Sequence, residues 1–421
     1  MDRIRSGRGR VHPRRGPHDA DGDDCGRSRV IDGSAPGLVR DRATWSLYLH
    51  MAAFGYFLYC FGPSVTLLGN ELGVSNAVAA LHSTAYAAAG VLIALLGDRP
   101  MRRFGRGRTL WTGCVVLCLG VLAYCAAATA AVSLGAALLC GFGAFLVVNV
   151  AGTALADHHG PIAGPSALSE ANGLAAGVGT AAPLLIGVMD SSGPGWRWAM
   201  VVVPVLFAAL ALVYGRTPIP DPPPPTRPTP DRPEAPTRGL PRAYWWAWSL
   251  TVCSVAVEFS LSLWASTLLR DRTGMSESAA ATAMTAVVAG LCLGRLAGGR
   301  LMLRVPLDRL YGGAVAVNLV GFAVFWTASV PWLGYTGLFL SGLGLSVQFP
   351  LATATAIRAA GGRTDLAVSR LAGATTLAAG GAPFLLGVAT DLMPVRTAFL
   401  LLPILLLASL PILRQATTPR P

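Results

Sequence analysis

The sequence predicts an all-α membrane protein of twelve helices, built as two related halves of six, and three observations carry that reading. First, 53% of the chain is hydrophobic and only 13% is charged. Apolar stretches of about 18 residues or more, long enough to cross a bilayer, occur twelve times. Second, residues 216–242 hold eleven prolines, and this extended, polar linker divides the stretches six and six. Third, the second half repeats the first at an offset of about 200 residues. Ser169, Gly173, Ala182-Pro183, Gly187 and Val188 return as Ser369, Gly373, Ala382-Pro383, Gly387 and Val388. Six spans per half start both halves on the same side of the membrane, a parallel repeat about the membrane normal.

Along the chain, residues 1–42 alternate Arg, Asp, Gly and Pro. They lack the apolar run of a signal peptide, so they are read as a disordered cytoplasmic tail. The first bundle, within 43–215, contains spans at 44–68, 76–97, 109–131, 133–155, 165–189 and 196–215. The second, 243–413, contains spans at 243–268, 278–301, 310–328, 331–356, 366–389 and 395–413, followed by a short tail at 414–421. Gly and Ala are frequent throughout, as expected of helices that approach closely in lipid. Further repeat matches support the pairing of halves. Gly141-Phe142-Gly143 maps onto Gly342-Leu343-Gly344, and Arg197, Ala199 and Pro204 map onto Arg396, Ala398 and Pro403.

All 33 basic residues are Arg, and the net charge is +12. Their distribution argues for topology and against nucleic acid. Ten lie before span 1, five in the 2–3 loop and five in the central linker, whereas only Arg197, Arg270, Arg272 and Arg396 lie on the other side. This positive-inside pattern puts both termini in the cytoplasm of a multi-pass protein of the cell membrane. Seven of the eight Cys fall in spans, where they act as small apolar residues, and no disulfide framework, metal site or cofactor is expected.

The loop after span 2 carries Arg103-Phe104-Gly105-Arg106-Gly107-Arg108, and the end of span 8 carries Gly294-Arg295-Leu296-Ala297-Gly298-Gly299-Arg300. With the repeat and the twelve spans, these motifs resemble the major facilitator superfamily, twelve-span type, over residues 44–413. The acid of the family pattern falls at Arg102, and Asp98 stands four residues earlier. The resemblance implies a cytoplasmic latch, to which Asp98, Arg103, Gly105, Arg295, Arg300 and Arg304 are assigned. It also implies a central cavity lined by spans 1, 4, 7 and 10. Span 4 lacks the Arg that drug exporters of the family carry, and span 5 has a weakened form of their Gly-Pro motif in Ala182-Pro183-Leu184-Leu185-Ile186-Gly187.

Glu258 is the leading functional candidate. It stands 15 residues from Ala243 and 10 from Leu268, near the bilayer midplane, where a charge costs at least about 2.5–3.5 kcal/mol. No Arg is expected at its depth, so the carboxyl is read as a lone proton-coupling group or as the partner of a cationic substrate. Asn149 and Gln348 are candidate hydrogen-bonding groups of the cavity. His50, Tyr56, Tyr59, His82, Tyr86 and Trp264 are further polar or aromatic candidates, with helix packing as the competing role. His82 is a candidate proton relay. Glu170 and Arg370, at equivalent repeat positions, are expected to form a gate between the halves. Asp157-His158-His159 is read as a plain cytoplasmic turn.

No nucleotide-binding loop or nucleophile motif occurs, so no enzyme is expected. The expectation is a monomeric secondary transporter for a small organic molecule, working by alternating access and coupled to protons. Export is the expected direction, with uptake of a small metabolite as the alternative and a non-transporting sensor or scaffold of the same fold as the rival.

Overall fold

A computed structural model describes residues 39–96, 99–220, 239–302, 304–361 and 364–417. Side chains at 161, 162, 165, 298–300, 302, 364–366, 368 and 369 are left aside. Residues 1–38 of the expected N-terminal tail, most of the proline-rich linker and Asp98 lie outside the described residues.

The described residues contain helices and no strand. Twelve helices are long and apolar enough to span a membrane. They are span 1 (Arg42–Glu71), span 2 (Asn76–Leu96), span 3 (Arg106–Cys125), span 4 (Ala130–Gly160), span 5 (Ser166–Ser191), span 6 (Arg197–Tyr214), span 7 (Arg242–Thr273), span 8 (Glu277–Ala297), span 9 (Leu307–Thr327), span 10 (Pro331–Ala359), span 11 (Arg370–Leu392) and span 12 (Val395–Thr417).

Local chemistry sets the ends. Asp41 caps span 1 by accepting the Thr44 N–H at 2.8 Å. Span 3 stops six residues earlier than its apolar run, which extends to residue 131, because Thr129 caps span 4 and takes the Val132 N–H. Hydropathy cannot see such a cap, since Ala126-Ala127-Ala128 is as apolar as a helix interior. Spans 4 and 5 are separated at Gly160, whose φ of 68° is the left-handed conformation that glycine adopts without strain.

Within the first half, span 1 packs on spans 4, 5 and 6, span 2 on span 4, and span 3 on spans 4 and 6. The second half repeats this pattern: span 7 packs on 10, 11 and 12, span 8 on 10, and span 9 on 10 and 12. Glycine makes the equivalence concrete. A Cβ at Gly143 would strike the Leu117 backbone of span 3, and one at Gly344 would strike Asn318 of span 9. Gly141 is seated against Tyr86 of span 2, and Gly342 against Val287 of span 8. The paired glycines read from the sequence therefore do the same packing in both halves.

The halves meet chiefly through helix pairs 2 with 11, 5 with 8 and 1 with 7, with a smaller contact between spans 1 and 8. Spans 1 and 7 cross at Gly62, where an added Cβ would lie 2.8 Å from the Ser262 carbonyl oxygen.

Candidate functional site

One turn from the Gly62–Ser262 crossing, toward the chain ends, lie Tyr59 on span 1 and Glu258 on span 7. Pro63 lies four residues after Tyr59 and has no N–H to return to the Tyr59 carbonyl, which loosens span 1 at this level. Glu258, Tyr59 and Tyr86 line a small pocket between the halves, with Phe61, Phe259 and Leu263 as apolar walls.

Glu258 is not alone. The Arg295 guanidinium of span 8 comes within 3.8 Å of its Oε1, and the Tyr59 hydroxyl sits against the same guanidinium. The expectation of a carboxyl without a basic neighbour is thus overturned. Arg295, assigned to the latch, instead stands beside this carboxyl in the structure. The reason lies in helix geometry. Cα–Cβ bonds tilt toward a helix's N-terminus. Span 7 begins on the side of the chain ends, so Glu258 leans toward that side. Span 8 begins on the other, so Arg295 leans away from it. The two side chains approach although their Cα atoms stand at different depths.

The separation of 3.8 Å is an ion contact too long for a hydrogen bond. Side-chain exposures of 30% for Arg295 and 14% for Glu258 mark a partly shielded pair. At an effective dielectric of about 20 their attraction is about 4 kcal/mol, enough to offset the cost of one charge at this depth. Protonation of Glu258 ends that attraction and leaves Arg295 without a counter-charge, beside the neutral Tyr59 hydroxyl.

Arg295 also faces a cavity of about 350 Å³ between spans 5, 8 and 10, lined by Ser169, Asn172, Arg295, Leu296, Val347 and Phe349 among others. This cavity lies on the chain-end side of the crossing. Hydrogen bonds that join the halves among the described residues lie on the opposite side or near mid-span. Asp391 of span 11 accepts the Asn76 and Ala77 N–H groups at the start of span 2, at 3.0 and 2.8 Å. Asn70 donates to Glu277, and the Thr84 hydroxyl donates to the Gly380 carbonyl at 3.0 Å. Gly187 of span 5 is pressed against Thr282 of span 8, and Gly387 of span 11 against Asn76.

Most other candidates sit inside one half. His50 is buried, bonds the Ser46 carbonyl at 2.7 Å and meets the Trp111 ring edge-on. Tyr56 donates to the Ala199 carbonyl at 2.9 Å. His82 lies between the Ala79 carbonyl and Ser133 Oγ, both at 2.8 Å. All three hold the first half together. Trp264 donates to the Pro383 carbonyl at 2.9 Å and borders a separate cavity of about 380 Å³ on the far side of the crossing. Gln348 is buried and donates to the Gly344 carbonyl, whereas Asn149 is exposed. Neither amide lines the two cavities beside Glu258 and Arg295.

Glu170 and Arg370 are not brought together. The Glu170 carboxylate takes both Arg40 Nη2 and Nε, at 2.6 and 3.0 Å, and the Tyr48 hydroxyl at 3.0 Å, all within its own half. Arg370 is exposed, and its backbone carbonyl accepts from Trp248 Nε1.

In the latch loop, Gly105 has a φ of 81° and turns the chain into span 3. Arg103 stacks on Phe104, and Arg304 is exposed. The Arg300 side chain lies outside the described ones. The buried member is Arg106, which pairs with Asp157 and donates to the Pro220 carbonyl at 3.1 Å. Asp157-His158-His159 is accordingly no plain turn. It forms the last turn of span 4, with His158 on Asp41 and His159 on Thr44. Burial pushes the Asp41 carboxyl up, but bonds from Thr44 and His158 outweigh it and hold the group below its ordinary value. Among the described residues no cluster could hold a metal ion.

A family model for the Major Facilitator Superfamily matches residues 47–360. No curated protein matches the chain. Among solved structures, a bacterial homologue of the human lysosomal transporter Spinster, inward-facing and occupied, aligns at a TM-score of 0.67 and 16% identity, covering 90% of this chain and 98% of that one. The E. coli fucose:proton symporter FucP aligns at a TM-score of 0.56 and 16% identity, with the same coverage.

Proposed function

The chain belongs to the Major Facilitator Superfamily and is a membrane transporter, and from that premise we propose that it moves a small organic molecule by alternating access, coupled to protons through Glu258. The observation that carries the proposal is the Glu258–Arg295 pair beside the cavity between the halves. A carboxyl that gains a proton releases its Arg partner, so protonation, substrate contact and the packing of span 7 against span 8 are linked in one place.

The cycle follows from the contacts. The Asp391, Asn70–Glu277 and Gly187 contacts join the halves on the far side, around the cavity of about 380 Å³ there, and the cavity at Arg295 belongs to the chain-end side. With both termini in the cytoplasm of a cell-membrane protein, as the Arg distribution supports, this is an inward-facing arrangement. The outward-facing state requires those contacts to break and the cytoplasmic ends to close. A Glu170–Arg370 gate would then require Glu170 to leave Arg40 and Tyr48. The two six-helix bundles, 43–215 and 243–413, rock as units about the span 1–span 7 crossing.

Direction follows from linkage. A lone carboxyl would exchange a proton for a cationic substrate and support export. Paired with Arg295, the carboxyl must be neutralised before Arg295 can serve a substrate, so proton and substrate bind together. Co-transport, and hence uptake driven by an inward proton gradient, is the preferred reading. Export is the second, favoured by a cavity that opens where an exporter loads.

Proteoliposomes holding a pH-sensitive dye and exposed to fractionated metabolite extract test both. Proton entry on addition of an active fraction supports co-transport, and proton exit supports exchange. Glu258→Gln is expected to lower the proton movement at least about tenfold, and unchanged movement in that variant refutes the coupling role.

A further inference from the structure

The charges lining the cavity point to the kind of molecule it takes. Among the described residues, Arg295 is the one charged residue that lines the cavity of about 350 Å³, and no described carboxylate lines it. Glu258 stands behind Arg295, in the neighbouring pocket between spans 1, 2, 7 and 11. The rest of the wall combines apolar side chains (Leu296, Val347, Phe349) with Ser346 of span 10 and the polar edge of span 5, Ser169 and Asn172.

We infer that the transported molecule is an organic anion with an apolar body, whose carboxylate or comparable group docks on Arg295 in place of Glu258. This rests on the transport reading above and names its substrate class. A guanidinium carries five N–H donors in a planar fork that suits a carboxylate or phosphate bidentately. Glu258, at 3.8 Å, makes an ion contact and takes none of them as a hydrogen bond. A ligand carboxylate entering from the cavity side can form the shorter paired bonds that Glu258 does not. A cationic ligand would meet Arg295 first, and the like charges would repel. The size of the cavity suits a ligand of one or two fused rings, and Phe349 offers an aromatic face to such a body.

Purified protein in detergent tests this with three probes of one shape: 1-naphthoate, 1-naphthylmethylamine and 1-naphthylmethanol. Thermal unfolding and titration of intrinsic tryptophan fluorescence report binding without any need for transport. Naphthoate is expected to raise Tm and saturate, with the amine and alcohol weaker by about tenfold or more. Glu258→Gln removes the competing carboxylate and is expected to bind naphthoate about tenfold tighter. Arg295→Gln is expected to lose naphthoate binding.

Equal protection by the amine or alcohol overturns the inference. So does weaker naphthoate binding in Glu258→Gln, or no naphthoate binding in either wild type or that variant. Should Arg295→Gln fail to fold, the three-probe comparison and the Glu258→Gln gain still decide. Naphthoate binding without proton movement in proteoliposomes refutes the transport reading and leaves the anion class standing. Proton movement with extract but no naphthoate binding refutes the class and leaves transport standing.

Discussion

Buried charge governs the chemistry at the residue scale, and the chain handles it in two ways. Arg106 has a side chain only 5% exposed and is held by Asp157 in a close pair that ties span 3 to the end of span 4. Arg295 is held more loosely and faces a cavity. The first arrangement locks a loop and the second leaves a charge that can change partner. Removing the half-exposed Asp157 leaves buried Arg106 with the Pro220 carbonyl but without that counter-charge, which costs about 1–3 kcal/mol. Asp157→Ala is therefore expected to lower Tm of the purified protein by several degrees. A Tm unchanged by Asp157→Ala would mean that Arg106 draws its support elsewhere. Both pairs are half legible in sequence. Arg106 stands in the latch motif and Glu258 stands out by depth. Their partners are not legible, because depth counted along a helix ignores which way a side chain leans, and because three polar residues before a glycine look like a turn.

Glycine spacing carries the packing at the element scale, and the repeat marks two kinds of glycine that sequence cannot tell apart. Gly143 and Gly344 admit neighbouring backbone where a Cβ would collide. Gly173 and Gly373, in the strongest part of the repeat, face open space, with no neighbouring atom within 4 Å of where a Cβ would stand. The repeat alone would give them close-packed contacts between the halves. Instead Gly187 and Gly387, about one turn after the repeated prolines, make those contacts against span 8 and the start of span 2. Overpacking a tight contact costs about 1–3 kcal/mol, whereas Gly to Ala in open helix gains up to about 1 kcal/mol. Gly143→Ala and Gly344→Ala are expected to lower Tm, and Gly373→Ala to leave it equal or higher. The reverse order in thermal unfolding would sink this assignment.

The molecule as a whole is defined by where its halves touch. Asp391 sits at the N-terminus of span 2, where a carboxylate meets free N–H groups and the positive end of the helix dipole. It joins span 11 of one half to span 2 of the other, so in the proposed alternating-access cycle its strength biases the equilibrium between the two states. Asp391→Ala removes a cap-like interaction of about 1 kcal/mol and is expected to move roughly fivefold more molecules toward the state open on the side of Asp391. Electron–electron distances between spin labels at the ends of spans 2 and 11 beside Asp391 report that shift. An unchanged distance distribution would show that the lock lies elsewhere. The Arg40–Glu170–Tyr48 cluster is the counterpart on the other side: it holds Glu170 within its own half while the cavity there is accessible.

The sequence by itself determined the twelve spans, the two halves and the family, because apolar length and a repeat of some 200 residues are one-dimensional signals that bilayer thickness makes strict. It also singled out Glu258, because a carboxyl deep in a span is costly wherever the helix is placed. Only the tertiary structure decided what surrounds that carboxyl. Antiparallel helices lean their side chains toward one another, so Arg295, 37 residues further on, becomes its partner. His50, Tyr56 and His82, also polar and set in apolar spans, turn into the interior of their own half. Which way a residue faces depends on helix rotation and crossing, and these are set by packing against distant segments that no local pattern records.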